Sequence, residues 1–320
     1  MPRILVVAPN WIGDVLMAQP LLARLREKTA GLQLDVLAPA WVAPVARRMP
    51  EVDRVIEVPF RHGGLQLRSR WNVGRALRSH GYQRAIVLPN TWKSALVPFF
   101  AHIPMRAGYL GESRYGLLNL RYGKSKDPMP QHYARLSEPP GEPVKEPLPR
   151  PRLRALPQEI DSTRKRFGMA QRYAVLCPGA EYGPAKRWPY FKALAERMAL
   201  QAVILGSAND AEAARGIPGT NLVGETTLDQ AIALIAGADF VVSNDSGLMH
   251  IAAALGRPQV ALFGSSSPLH TPPLSAAAHV LWLRVECSPC FQRECPLGHF
   301  RCMRELTVDL VLKEIENLPA

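Results

Sequence analysis

The chain has 320 residues, 47% of them apolar, and carries 39 Lys and Arg against 27 Asp and Glu for a net charge of +12. That length exceeds what one hydrophobic core usually organises, so two domains of roughly 150 residues are expected. No apolar run approaches the roughly 18 residues of a membrane span, and the run before Pro9 is too short for a secretory signal, so a cytoplasmic protein is expected.

In chain order, Arg3–Ala8 (RILVVA) reads as a buried strand and Val15–Lys28 as an amphipathic helix with Leu21, Leu22 and Leu25 on one face. Gln33–Leu37 reads as a strand, Trp41–Arg48 as a helix and Arg54–Val58 as a strand. Trp71–His80 follows as a helix closed by Gly81. Ala85–Leu88 is a further strand, and Ser94–Ala101 a helix stopped by Pro104. This alternation is the pattern of βαβ units around a parallel sheet. Between Glu138 and Pro157, seven of twenty residues are proline. Such a stretch cannot be helix interior or central strand and is assigned as the interdomain linker.

The alternation then resumes. Tyr173–Cys177, Ala202–Leu205, Phe240–Ser243 and Gln259–Phe263 read as strands; Tyr190–Leu200, Leu228–Ala236, Leu248–Leu255 and Val308–Leu318 read as helices. Cys177, alone in an apolar strand, reads as a packed core thiol. The expected fold is α/β: two Rossmann-like domains, residues 1–150 and 151–320.

In open α/β sheets, ligands sit in the turns at the carboxyl ends of the strands. Pro9–Asp14 (PNWIGD) is the first such turn. Asp14 is either the N-cap of the following helix or a carboxylate free to take a proton from an acceptor hydroxyl. Pro178–Pro189 (PGAEYGPAKRWP) offers Gly179 and Gly183 for close backbone approach to phosphate, and Lys186 for charge. It matches neither the Walker pattern nor the dinucleotide fingerprint.

Ser243–His250 (SNDSGLMH) places Asp245, Ser246 and Gly247 at a helix start, which suits a diphosphate. A carboxylate there repels phosphate, so Asp245 is assigned to capping the helix or holding a sugar hydroxyl. His250 lies one turn further in, structural or near the phosphates. In Val223–Thr227, Glu225 is placed to hold a ribose diol, with capping by Thr226 or Thr227 as the alternative.

Cys287, Cys290, Cys295 and Cys302 form C-x2-C-x4-C-x6-C, with His299 inside. In a cytoplasmic protein this spacing points to a metal site, with structural zinc first, or to reduced thiols. Arginine clusters at Arg47/Arg48, Arg61 to Arg78 and Arg164 to Arg166 attract phosphates of nucleic acid, an anionic leaflet or a phosphorylated lipid, although a genome rich in arginine codons explains them equally. No nucleic-acid module with interleaved aromatics is present.

The segments NWIGDVLM (Asn10–Met17), LPNTWKSALVPFF (Leu88–Phe100), RYGLLN (Arg114–Asn119), CPGAEYGPAKRWP (Cys177–Pro189), GETTLDQA (Gly224–Ala231) and NDSGLMHIAAAL (Asn244–Leu255) resemble the ADP-heptose:lipopolysaccharide heptosyltransferases. The second and fourth strings lean to the type that adds the second heptose. The resemblance implies a GT-B fold, two Rossmann-like domains with parallel sheets facing across a cleft, and inverting, metal-independent transfer. The donor is then ADP-heptose and the acceptor the first heptose of Kdo–lipid A, reached at the cytoplasmic leaflet of the inner membrane without insertion and without nucleic acid. On matching positions it makes Asp14 the catalytic base, Lys186 a phosphate contact and Glu225 the ribose carboxylate. Asp245, Ser246, Gly247 and His250 become the donor turn, behind an acceptor-binding first domain. The cysteine-rich segment has no counterpart in the resemblance. The rivals are the first heptosyltransferase or another GT-B transferase, a nicotinamide oxidoreductase lacking its fingerprint, and a zinc-dependent nucleic-acid binder.

Overall fold

The structure, a computed structural model, describes residues 1–60 and 63–319; Arg61, which opens one of the basic clusters, lies outside them. The chain divides into two compact units, Met1–Arg150 and Pro151–Ala320.

Unit 1 holds the strands β1 (Arg3–Val7), β2 (Gln33–Pro39), β3 (Arg54–Val58), β4 (Arg84–Val87), β5 (Met105–Tyr109) and β6 (Leu120–Tyr122). They form one parallel sheet in the order β3-β2-β1-β4-β5-β6. β1 lies at its centre, with Val6 opposite Val36 on one side and Ile86 on the other. Four of its five residues are buried, as expected for a strand covered on both faces. Around the sheet run α1 (Ile12–Met17), α2 (Gln19–Lys28), α3 (Ala43–Arg47), α4 (Leu67–Leu77), α5 (Leu96–Phe100) and α6 (Met129–Ala134).

The stretch expected as one helix from Val15 to Lys28 is two. Pro20 has no amide to complete the bond to Leu16, so the chain breaks at Ala18 and restarts. The helix that closes at Gly81 begins at Leu67, four residues before Trp71, and Gly81 takes the left-handed conformation (φ 67°) that ends it. Before α5, Trp92–Ala95 forms a single 3-10 turn. β5, β6 and α6 carry too few apolar repeats to stand out in the sequence.

Unit 2 repeats the plan with α7 (Pro157–Arg166), β7 (Tyr173–Cys177), α8 (Phe191–Arg197), β8 (Gln201–Ile204), β9 (Thr220–Asn221), α9 (Leu228–Ala236), β10 (Phe240–Asn244), α10 (Gly247–Ala254), β11 (Gln259–Phe263), β12 (Ala278–Trp282), α11 (Arg301–Arg304) and α12 (Val308–Glu316). Pro157 ends the proline-rich stretch as the first residue of α7, where its missing amide costs nothing. The sheet order is β12-β11-β10-β7-β8-β9, all parallel. Its core gathers Leu176, Trp188, Phe191, Ile204, Val242, Leu262, Met303 and Val311.

Read from its first strand, each sheet runs 3-2-1-4-5-6. The direction of succession reverses beside that first strand, between β1 and β4 and again between β7 and β10. Loops leaving neighbouring strands part there, and the crevice left at the carboxyl ends is where such sheets bind ligands.

Candidate functional site

In unit 2 the crevice is built by the loop after β7 and the turn after β10. The Asn244 side chain, wholly buried, stitches them together: its amide donates to the Pro178 carbonyl at 2.8 Å, and its oxygen accepts the Trp188 amide at 3.1 Å. Lys186, in the first loop, reaches the Asp245 carboxylate at 2.5 Å, with the two side chains 14% and 5% exposed. The Ser266 hydroxyl donates to the same carboxylate oxygen at 2.5 Å. Lys186 also lies over the Tyr182 ring, 4.8 Å from its centre. A buried carboxylate keeps its charge only when paired and hydrogen-bonded, and here it has both an ammonium and a hydroxyl.

This pairing decides the capping question. Asp245 does not cap α10; Ser246 holds the N-cap position, and its side chain makes no capping bond, approaching the Ser243 hydroxyl instead at 3.1 Å. The first amides of α10, from Gly247 onward, therefore lack a side-chain acceptor. His250 is buried within the same helix. Burial, reinforced by Lys186 and opposed by Asp245, lowers its pKa to about 4, so the ring is neutral near pH 7.

The structure adds two local details to the loops. Gly179 has a packing reason to lack a side chain: a Cβ there would lie 2.2 Å from the Asp210 carboxyl carbon. Asp210 is itself held by the Ser207 amide and hydroxyl at 2.9 and 2.8 Å. The cap of α9 is Thr227, in a reciprocal box with Gln230, which leaves Glu225 exposed after β9 in a loop whose Gly224 amide bonds Gly206. Lys186, Asp245, Ser246, Gly247 and His250 thus share one turn-and-loop pair, whereas Glu225 sits further along the strand ends.

In unit 1, Asp14 is not the N-cap. α1 begins at Ile12, with Trp11 as a cap that makes no side-chain bond, so Asp14 occupies the third helical position. There its carboxylate meets the buried Tyr133 hydroxyl from α6 through a hydrogen bond. Burial first, then the charge and hydrogen bond of Asp14, push that phenol well above its ordinary range.

The four clustered cysteines come together. Cys287, Cys290, Cys295 and Cys302 line one small cavity with His299, Phe300 and Ser265. Burial, then the three other thiols, push Cys302 up to about 11. Among the described residues, no group of three or more His, Cys, Asp or Glu stands in a metal-holding arrangement. Cys177 is a buried core thiol, as read from its strand.

Sequence reasoning missed Asn244, Asp210, Ser266 and Tyr133. Asn244 lay in plain view before Asp245, and Ser266 in the Ser265–Ser267 triplet that follows β11 at another strand end. Nothing in the sequence pointed from Tyr133 to Asp14.

The sequence profile of "Glycosyltransferase family 9 (heptosyltransferase)" matches residues 70–301. A lipopolysaccharide heptosyltransferase 2 of Escherichia coli is 42% identical over 99% of this chain and 98% of its own length. A solved structure titled as E. coli ADP-heptose LPS heptosyltransferase II superposes with a TM-score of 0.87 at 40% identity, covering 98% of each chain. A lipopolysaccharide heptosyltransferase 1 of Pseudomonas aeruginosa is 26% identical, over 92% of this chain and 87% of that protein.

Proposed function

We infer, from the premise that this chain belongs to glycosyltransferase family 9, the heptosyltransferases, that it moves L-glycero-D-manno-heptose from ADP-heptose onto the first heptose of the Kdo–lipid A inner core. The chain is a transferase with the two-sheet α/β architecture of GT-B enzymes. One observation carries the choice of the second heptose: the full-length likeness to a heptosyltransferase 2 at 42% identity, against 26% to a heptosyltransferase 1.

Unit 2 takes the donor. Its diphosphate meets the uncapped amides of α10 at Ser246 and Gly247 and the Lys186 ammonium, while Glu225 holds the ribose diol. Asp245 would repel the diphosphate if bare. Paired with Lys186 and Ser266, it instead fixes where the ammonium points, and neutral His250 adds no charge beneath them. The loop carrying Gly179 keeps its course because Asp210 fills the space beside that α-carbon.

Unit 1 takes the acceptor. Asp14 accepts the proton of the attacking hydroxyl as its oxygen bonds to the anomeric carbon. The bond from that carbon to the phosphate oxygen breaks, and ADP departs with inversion. Charge gathering on the leaving diphosphate falls to Lys186 and the α10 amides, a fixed electrostatic arrangement that is usually the largest catalytic contribution. No step is assigned to a metal ion.

For the acceptor to be a membrane glycolipid, the protein must reach a leaflet without crossing it. No helix among the described residues is long and apolar enough to span. We place the contact on unit 1, at the cytoplasmic face of the inner membrane. Trp11, Trp41, Trp71 and Trp92 are each at least 40% exposed there, with Arg47, Arg68, Arg75 and Arg78 in the same unit. Amphipathic rings and cations together suit an anionic interface.

The test supplies purified protein with ADP-heptose and Kdo–lipid A that carries either one heptose or none. Heptose transfer confined to the first acceptor is expected. Transfer to the acceptor without heptose, or ADP release with neither, overturns the reading.

A further inference from the structure

The transfer just described leaves four thiols unused, and they surround a single space. Cys287, Cys290, Cys295 and Cys302 line a cavity of about 20 Å3, room for one water-sized body. Ser265 lines it too, is 1% exposed, and has a hydroxyl without a hydrogen-bond partner. The Cys295 sulfur accepts from the backbone amide of Phe300 at 3.4 Å, which fixes it at the cavity wall.

We propose that Cys287, Cys290, Cys295 and Cys302 bind one thiophilic metal ion, zinc or iron, as a structural clasp on the donor loop. Four sulfurs make a closed tetrahedral set with no open position, which is the make-up of a structural and not a catalytic centre. The thiols do not stand in a coordination shell as placed, so the ion must draw them inward. The segment between Trp282 and Arg301, which carries three of them, contains neither helix nor strand to resist this.

What the clasp holds follows from where that segment is fastened. The Ala185 amide donates to the Arg293 carbonyl at 3.0 Å, next to Lys186. The Tyr182 hydroxyl donates to the Phe291 carbonyl at 2.6 Å, beneath the Lys186 ammonium. On the other side, the Phe291 amide donates to the Ser265 carbonyl at 2.7 Å and the Ser288 hydroxyl to the Gly264 carbonyl at 2.6 Å, beside Ser266. Gly183 is pressed so closely that a Cβ would lie 2.5 Å from the Arg293 oxygen. The cysteine segment is therefore a strap over the two loops that supply Lys186 and Ser266. Metal binding shortens the strap and fixes the ammonium where the diphosphate is to arrive. This second half rests on the donor reading of Lys186; the metal site does not.

The experiment begins with metal analysis of the reduced, desalted, full-length protein after incubation with zinc(II) or iron(II). About one ion per chain is expected. Bound iron absorbs visible light once air oxidises it to the ferric state, and zinc does not, which separates the two. C295S and C302S should lose the ion, and chelation of wild type should lower Tm by several degrees and raise the donor KM several-fold with kcat little changed. Labelling of native wild-type thiols by a disulfide reagent should slow when zinc is present, a readout that needs no variant to fold. Loading below about one chain in ten, or labelling indifferent to both metals, overturns the site. Metal retained with a donor KM that chelation does not move keeps the site and overturns the clasp. Metal retained in a protein that transfers no heptose overturns the donor reading alone.

Discussion

The two units share a strand order and differ in how they treat charge. At the crevice of unit 2 several polar side chains are already paired: Lys186 on Asp245, Ser266 on the same carboxylate, and Asn244 across both loops. Unit 1 instead presents aromatic rings to solvent. All four exposed tryptophans among the described residues belong to it, while Trp188 of unit 2 is 3% exposed with its indole N–H on the Leu306 carbonyl. A small, highly charged donor rewards a rigid site organised before it arrives. A glycolipid at an interface rewards apolar rings and cations that remain accessible. Under the proposed function, the same topology is dressed for two kinds of ligand.

The largest effect that sharpens this contrast is chemical. Asp14→Asn should cut kcat by about 10²- to 10⁴-fold while ADP binding to the protein, followed by calorimetry, is unchanged. Turnover within tenfold of wild type would remove Asp14 from the role of base. Next in size is the buried pair. Lys186→Met leaves the Asp245 carboxylate without its cation, at a cost of about 3–5 kcal/mol in unfolding free energy. Adding Asp245→Asn should restore most of that stability in urea melts without restoring donor affinity, and recovery of both would make the pair purely structural.

A somewhat smaller effect concerns acid. The pKa of His250 falls to about 4 in the fold from an ordinary value near 6.5, so the unfolded chain takes up the proton first as pH drops. Its contribution is complete above about pH 6.5 and declines down to about pH 4, by about 3 kcal/mol in all. His250→Gln should flatten the acid limb of stability against pH; an unaltered limb would place the sensitivity elsewhere. The smallest effect is expected at the surface. Trp71→Ala with Trp92→Ala should weaken sedimentation with anionic vesicles several-fold, and wild-type binding should itself fall as salt rises. Vesicle binding indifferent to salt and to both rings would argue against unit 1 as the membrane face.

Much of this was legible before the structure, for identifiable reasons. Buried parallel strands read as short apolar runs, so β1, β7, β10 and β11 stand out, and the turns that follow them name Asp14, Lys186 and Asp245. What the sequence hides is who meets whom. Asp245 looked like a helix cap because Asp is a good one, but its partners, Lys186 and Ser266, come from loops 59 and 21 residues away. Asp14 looked like a cap for the same reason, yet the helix starts two residues earlier, at Ile12. The reason for Gly179 lay in Asp210, thirty-one positions on. β12 escaped notice because its mixture of His, Val and Trp is only partly buried at the sheet edge.

The repeated strand order has one more consequence. Pro9–Asp14 and the loop from Pro178 occupy equivalent stations, each being the first crossover of its own sheet, beside its own point of reversal. If, as proposed, one crossover meets the acceptor and the other the donor, selection can retune either substrate by editing a single crossover without disturbing the framework of its counterpart. A chain organised this way can diversify its products one substrate at a time.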